Sequence, residues 1–151
     1  MSGKIVRDII GFLGVVASLL FVGQEIRQNT AVARGQARQE LALQFQDWLE
    51  LRASSEELDD LFWGAWVDEV ELTPGQYRRA VLMMRIFLTR LENVFLQVNE
   101  GLVDESALNS YGWAAGQYFL SDRFRAFWDV GAVAFDPQFV TYFNQRFGLT
   151  Q

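Results

Sequence analysis

The alternation of apolar and polar positions changes character once along this chain. From Ile9 to Gly23 (IIGFLGVVASLLFVG) no charged residue occurs, and apolar side chains point to every side of a helix. Fifteen such residues give about 22 Å of helix at ~1.5 Å per residue, short of the ~20 residues that usually cross the hydrocarbon. Extending the run to Ile5 and Ile26 supplies the length and takes in Arg7, Asp8, Gln24 and Glu25 near its ends. There Lys4 and Arg7 can snorkel outward, and Arg7 can partly neutralise Asp8.

Downstream the apolar positions become one-sided. Ala37, Leu41, Phe45, Trp48 and Leu49 recur every three or four residues, which predicts a helix over 30–53. No proline separates this helix from the apolar run, so the two are either one continuous helix or broken near Asn29-Thr30. Ser54 and Glu57 have the spacing of a capping box ahead of Leu58, Leu61, Phe62, Ala65 and Trp66. Thr73-Pro74-Gly75-Gln76 is a second start, opening a long helix to Glu100 whose core stripe is Val81, Met84, Leu88, Leu91, Phe95 and Val98. Asp104 or Ser106 opens a further helix through Tyr111, Trp113 and Phe119, weakened by Gly112 and Gly116. Ser121-Asp122 and Asp136-Pro137 start two shorter helices, the last stopping at Gly148. The predicted fold is all-α: an N-terminal transmembrane helix, residues 1–28, followed by a small aromatic-rich helical bundle, residues 29–151.

Three readings compete for the apolar run. An export signal needs a small-x-small cleavage site, and before Gln24 the residues are Gly23 and the bulky Phe21. A buried core helix, apolar on all sides, needs neighbours all round, which a 151-residue chain can hardly supply. A membrane span is favoured. Within it Gly11, Gly14 and Ser18 share one stripe, where small side chains let a partner helix approach closely; glycine is also simply common in membrane helices. Arg7, Arg27, Gln28 and Asn29 fall where an anchor leaves the hydrocarbon and can reach phosphate, water or a neighbour's backbone. Lys4 and Arg7 precede the run, and Arg27, Arg34 and Arg38 follow it. The excess of cations on the far side favours a cytoplasmic C-terminal domain.

Composition narrows the chemistry. The chain has no cysteine and no histidine, which removes thiolate–imidazole zinc sites, haem ligation by those residues, and Ser-His-Asp or Cys-His nucleophile systems. The net charge of −6 argues against nucleic acid as a partner. Charge is also segregated: residues 1–46 carry five basic and three acidic groups, whereas residues 47–77 carry one basic and nine acidic groups. A basic segment beside an apolar run suits an anionic bilayer.

Glu56, Glu57, Asp59 and Asp60 offer oxygens to a hard cation, but they also sit where acids complement the positive end of a helix dipole. Arg85 and Glu92 border the core stripe of the long helix. With Thr89 between them they are read as a polar ridge that fixes packing by ion pairing to another helix, with an acid–base role for Glu92 as the sharper alternative. Trp63, Trp66, Trp113 and Trp128 are read as core filler, and a pocket for an apolar small molecule is the alternative.

The stretches GVVASLLFVGQEIRQNTAVAR, LENVFLQVNEGLVDE and DPQFVTYF resemble a family of uncharacterised bacterial proteins with one N-terminal hydrophobic helix and a helical domain of unknown function. The resemblance implies a membrane-anchored helical architecture and carries no catalytic residues. Together these readings lead to an expected function: a non-catalytic, single-pass protein of the bacterial inner membrane. It would act as an accessory or stabilising subunit whose partners are other membrane protein subunits and lipid, with no cofactor.

Overall fold

The computed structural model describes residues 3–111 and 113–149. Gly112 and the side chains of Lys4, Ile5 and Trp113, all weighed in the sequence, lie outside the described residues. Among the described residues there are six α-helices and no strand. The chain divides into two compact units, residues 1–36 and 37–151.

Helix α1 runs Gly3–Ala53 without interruption, so the break considered at Asn29-Thr30 does not occur. Thr30 Oγ1 donates to the Ile26 carbonyl at 2.8 Å. The hydroxyl is thus satisfied inside the helix instead of capping a new one. Within the second unit, Ala37, Leu41, Phe45 and Trp48 of α1 are buried, as their spacing required. Leu49 departs from expectation and is 62% exposed. It lies about 100° round the helix from Trp48, and the next inward position is taken by Arg52.

Helix α2, Glu56–Trp66, begins one residue later than expected: Ser55, not Ser54, accepts from the Leu58 amide. Ser54 Oγ instead donates to the Leu51 carbonyl at the end of α1. Helix α3, Pro74–Asn99, has the full capping box of Thr73 and Gln76 and stops where Gly101 takes a φ of 70°. Helix α4, Ser106–Ser110, is a single short turn without a side-chain cap, and Asp104 is engaged elsewhere, with Arg38 at 2.6 Å. The predicted helix through Phe119 is a 3-10 segment, Trp113–Phe119. A Cβ on Gly116 would sit 3.2 Å from the Phe147 ring, so the glycine admits that ring at close range. Helix α5, Asp122–Gly131, is capped by Ser121. A 3-10 turn, Ala132–Ala134, leads to α6, Pro137–Phe147, which ends at Gly148 with φ 62°.

The core of the second unit is aromatic. Trp66, Phe62, Phe119, Phe124, Phe139 and Phe143 are fully buried. Ring centroids lie 4.6 Å apart between Trp128 and Phe143 and 4.9 Å apart between Phe119 and Phe143. Offset and edge-on pairs of this kind add to the stabilisation from burying each ring. Arg123 ties the α2–α3 connection to α5. Its guanidinium donates to the carbonyls of Ala65, Glu69 and Val70 at 2.9, 3.1 and 2.8 Å, and its amide donates to Glu69 Oε1. Those carbonyls, left over where α2 ends, would otherwise need water.

Candidate functional site

In the first unit the candidate feature is a surface. Phe12 is 68% exposed and Leu20 71% exposed, and Ile10, Leu13, Val15, Leu19 and Phe21 are exposed with them. No residue in the most apolar 18-residue window of α1 is buried. This is the one helix, among the described residues, that is long and apolar enough to cross a membrane. Every backbone group through 9–23 lies within helix, the condition hydrocarbon imposes on a single spanning segment.

The stripe of small residues is open. A Cβ built on Gly11 or Gly14 meets nothing within 4 Å. Ser18 Oγ donates to the Gly14 carbonyl at 2.9 Å, so its hydroxyl needs no outside partner. At the flanks, Arg7 Nε stands 4.0 Å from Asp8 Oδ1, both largely exposed. Such a contact contributes little in water. Arg27, Gln28 and Asn29 are exposed on continuous helix, not on a turn.

In the second unit a polar seam joins α1 to α3. Asn93 Nδ2 donates to Gln44 Oε1 at 3.1 Å, and Gln97 Nε2 donates to Asn93 Oδ1 at 3.3 Å. Arg90 Nε donates to the Gln44 carbonyl at 2.8 Å, with its guanidinium carbon 5.8 Å from the Trp48 ring centroid. Burial lowers the Arg90 pKa from its ordinary value, while Asp47 acts in the opposite direction. Sequence reasoning missed this seam. The polar residues at 90, 93 and 97 recur at helical spacing and were the available signal.

The inter-helix ion pairing expected of the Arg85 and Glu92 ridge is not formed among the described residues. Glu92 Oε1 accepts the Asp136 amide at 2.5 Å, holding the entry to α6. Arg85 is exposed and has no ion-pair partner among the described residues. Of the acidic group on α2, Asp59 pairs with Arg52 and Glu57 with Arg79. Glu56, Glu57 and Asp59 lie in the first turn, where the helix dipole favours them. No three acidic side chains converge on a common point among the described residues.

Trp66 and Trp128 are buried in the core, whereas Trp63 is 36% exposed and meets Tyr118 edge-on. Arg52 lies over the Phe62 ring at 4.7 Å. A groove of about 760 Å³ opens on the outer side of α3 and is lined by Leu82, Arg85, Ile86, Thr89, Asn93 and Leu96 among others. No protein-family model, curated protein or solved structure matches the chain.

Proposed function

We propose that this protein is a non-catalytic, single-pass subunit of the bacterial inner membrane that stabilises a larger membrane complex. The observation that carries the reading is the apolar surface of residues 9–23, none of them buried and none charged. An apolar surface of this extent in water costs about 25 cal/mol per Å², and hydrocarbon or the spanning helices of a partner would remove that cost. The open stripe at Gly11, Gly14 and Ser18 supports docking against another helix, because bare backbone permits a closer approach than leucine would. Arg7, Arg27, Gln28 and Asn29 would mark the two interfaces, with the aromatic-rich unit on the cytoplasmic side.

The test is purification of the untagged chain from its own membranes in mild detergent. A defined set of membrane subunits should comigrate with it. Gly14→Leu should release those subunits while the chain stays resistant to alkaline washing. Extraction of the unaltered chain by alkali alone, without detergent, would sink the proposal.

The alternative, a helical domain that binds an apolar small molecule, draws support from the groove on α3, lined by Leu82, Ile86 and Leu96. A detergent-free, compact monomer with saturable uptake of an apolar dye would favour it.

A further inference from the structure

Helix α3 carries two seams. One faces the core through Met84, Leu88 and Leu91. The other lines the outer groove through Leu82, Ile86, Thr89, Asn93 and Leu96, positions spaced alternately four and three residues apart. That alternation keeps a row of side chains on one side of a helix over several turns, and it is the spacing by which one helix receives the knobs of another. Among the described residues of the second unit, none covers the upper part of the row: Leu82 is 62% exposed and Ile86 42% exposed.

The charge around this row is unlike that of the unit it belongs to. Residues 37–151 hold nine basic and seventeen acidic groups. Yet from Pro74 to Leu91 the helix holds Arg78, Arg79, Arg85 and Arg90 and no acid. Arg79 is paired with Glu57, and Arg90 is bonded to the Gln44 carbonyl. Arg78 and Arg85 have no ion-pair partner among the described residues and flank the row on one side. Glu92, the acid on that same side, has Oε1 on the Asp136 amide.

We infer that the outer groove of α3 receives an acidic amphipathic helix from a partner protein. Leucine-like side chains of that helix fill the groove between Leu82 and Leu96, and its flanking carboxylates meet Arg78 and Arg85. A concave groove with a row at helix-packing spacing fits the ridge of a helix better than the plane of a bilayer. A second copy of this chain fits less well. Packed parallel, it would set Arg85 opposite Arg90; packed antiparallel, it would have to share a Glu92 already bonded. The inference concerns the second unit alone and does not rest on α1 spanning a bilayer.

The probe is a synthetic helix-forming peptide with leucine at both seam positions of each heptad and glutamate at both flanking positions. Glutamates facing one another keep it from pairing with itself. Fluorescence anisotropy against the full chain in neutral detergent should show saturable binding. The same peptide with lysine flanks should bind at least about tenfold more weakly, since rim charges of the wrong sign oppose the encounter.

Arg85→Glu should reduce that preference, and Ile86→Asp should weaken the glutamate peptide about tenfold. Both positions are exposed, so the near-ultraviolet signal of the aromatic core should stay as it was. Equal binding of the two peptides, binding of neither, or full binding by Ile86→Asp overturns the inference. So does a dimer of the unaltered chain that Ile86→Asp dissolves, which would give the groove to a second copy. Protection of residues 82–96 from amide exchange on moving from neutral to anionic lipid discs, with no peptide present, would give it to lipid and equally overturns the inference.

Discussion

Placing charge in the middle of the apolar run is the sharpest test of what holds residues 9–23. The stretch Ile9–Val22 contains ten large apolar residues. On an insertion scale each Leu, Ile, Phe or Val near the centre contributes about −0.3 to −0.6 kcal/mol, so ten give roughly −3 to −6 kcal/mol before small residues and flanks are counted. Replacing Leu19 by Arg removes one such term and adds about 3 kcal/mol, leaving the balance near zero. Adding Val15→Arg doubles the penalty to about 7 kcal/mol, which exceeds everything the run supplies.

Val15 and Leu19 are 59% and 67% exposed, and neither belongs to the aromatic core. All five tryptophans lie beyond residue 47, so near-ultraviolet circular dichroism reports on the second unit separately. The assay is flotation and alkaline extraction of membranes carrying the unaltered chain, the single variant and the double variant. Unaltered chain should stay with the membrane, the single variant should divide between fractions, and the double variant should be extracted with its aromatic signal intact. A double variant that remains in the alkali-resistant membrane fraction refutes the reasoning, because no partition into hydrocarbon of this size could then be holding the helix.

Three further outcomes follow from the second unit. Glu92→Ala should lower unfolding stability by about 1–3 kcal/mol in urea titration, since the Asp136 amide loses a charged acceptor, and Glu92→Gln should cost less. Thr73→Ala should cost about 1 kcal/mol and Thr73→Ser almost nothing, because only the hydroxyl serves the Gln76 amide. Phe143→Ala should cost about 3–5 kcal/mol by the same measurement, whereas Val133→Ala, at a position 90% exposed, should fall within about 0.5 kcal/mol of the unaltered chain.

What could be read from sequence was chiefly local. Thr73 with Gln76, Ser121 and Gly148 mark helix ends, because caps act over one turn and their chemistry is written in adjacent residues. The inward rows of α1 and α3 were legible for the same reason: burial repeats with the helix. Leu49 was misplaced because one residue of slip is a quarter turn, and composition does not say which edge of a stripe a neighbour covers. The continuity of α1 through Asn29 and Thr30 rested on a choice between a hydroxyl bonding backward and one opening a new helix, and residue type allows both. Glu92 could not be assigned to the Asp136 amide, 44 positions away, by any local rule. The outer seam of α3 was hidden by its mixed composition: Thr89 and Asn93 sit in the row with Leu82, Ile86 and Leu96, so no apolar stripe stands out.

The hold that Arg123 has on three carbonyls means that the end of α2 and the start of α5 cannot loosen independently. Deuterium uptake at 66–72 and at 122–125 should therefore rise together as one opening event, at one rate and with one denaturant dependence. Lysine in place of Arg123 would uncouple the two: a single ammonium on a flexible stem does not present a planar fork to three acceptors at once.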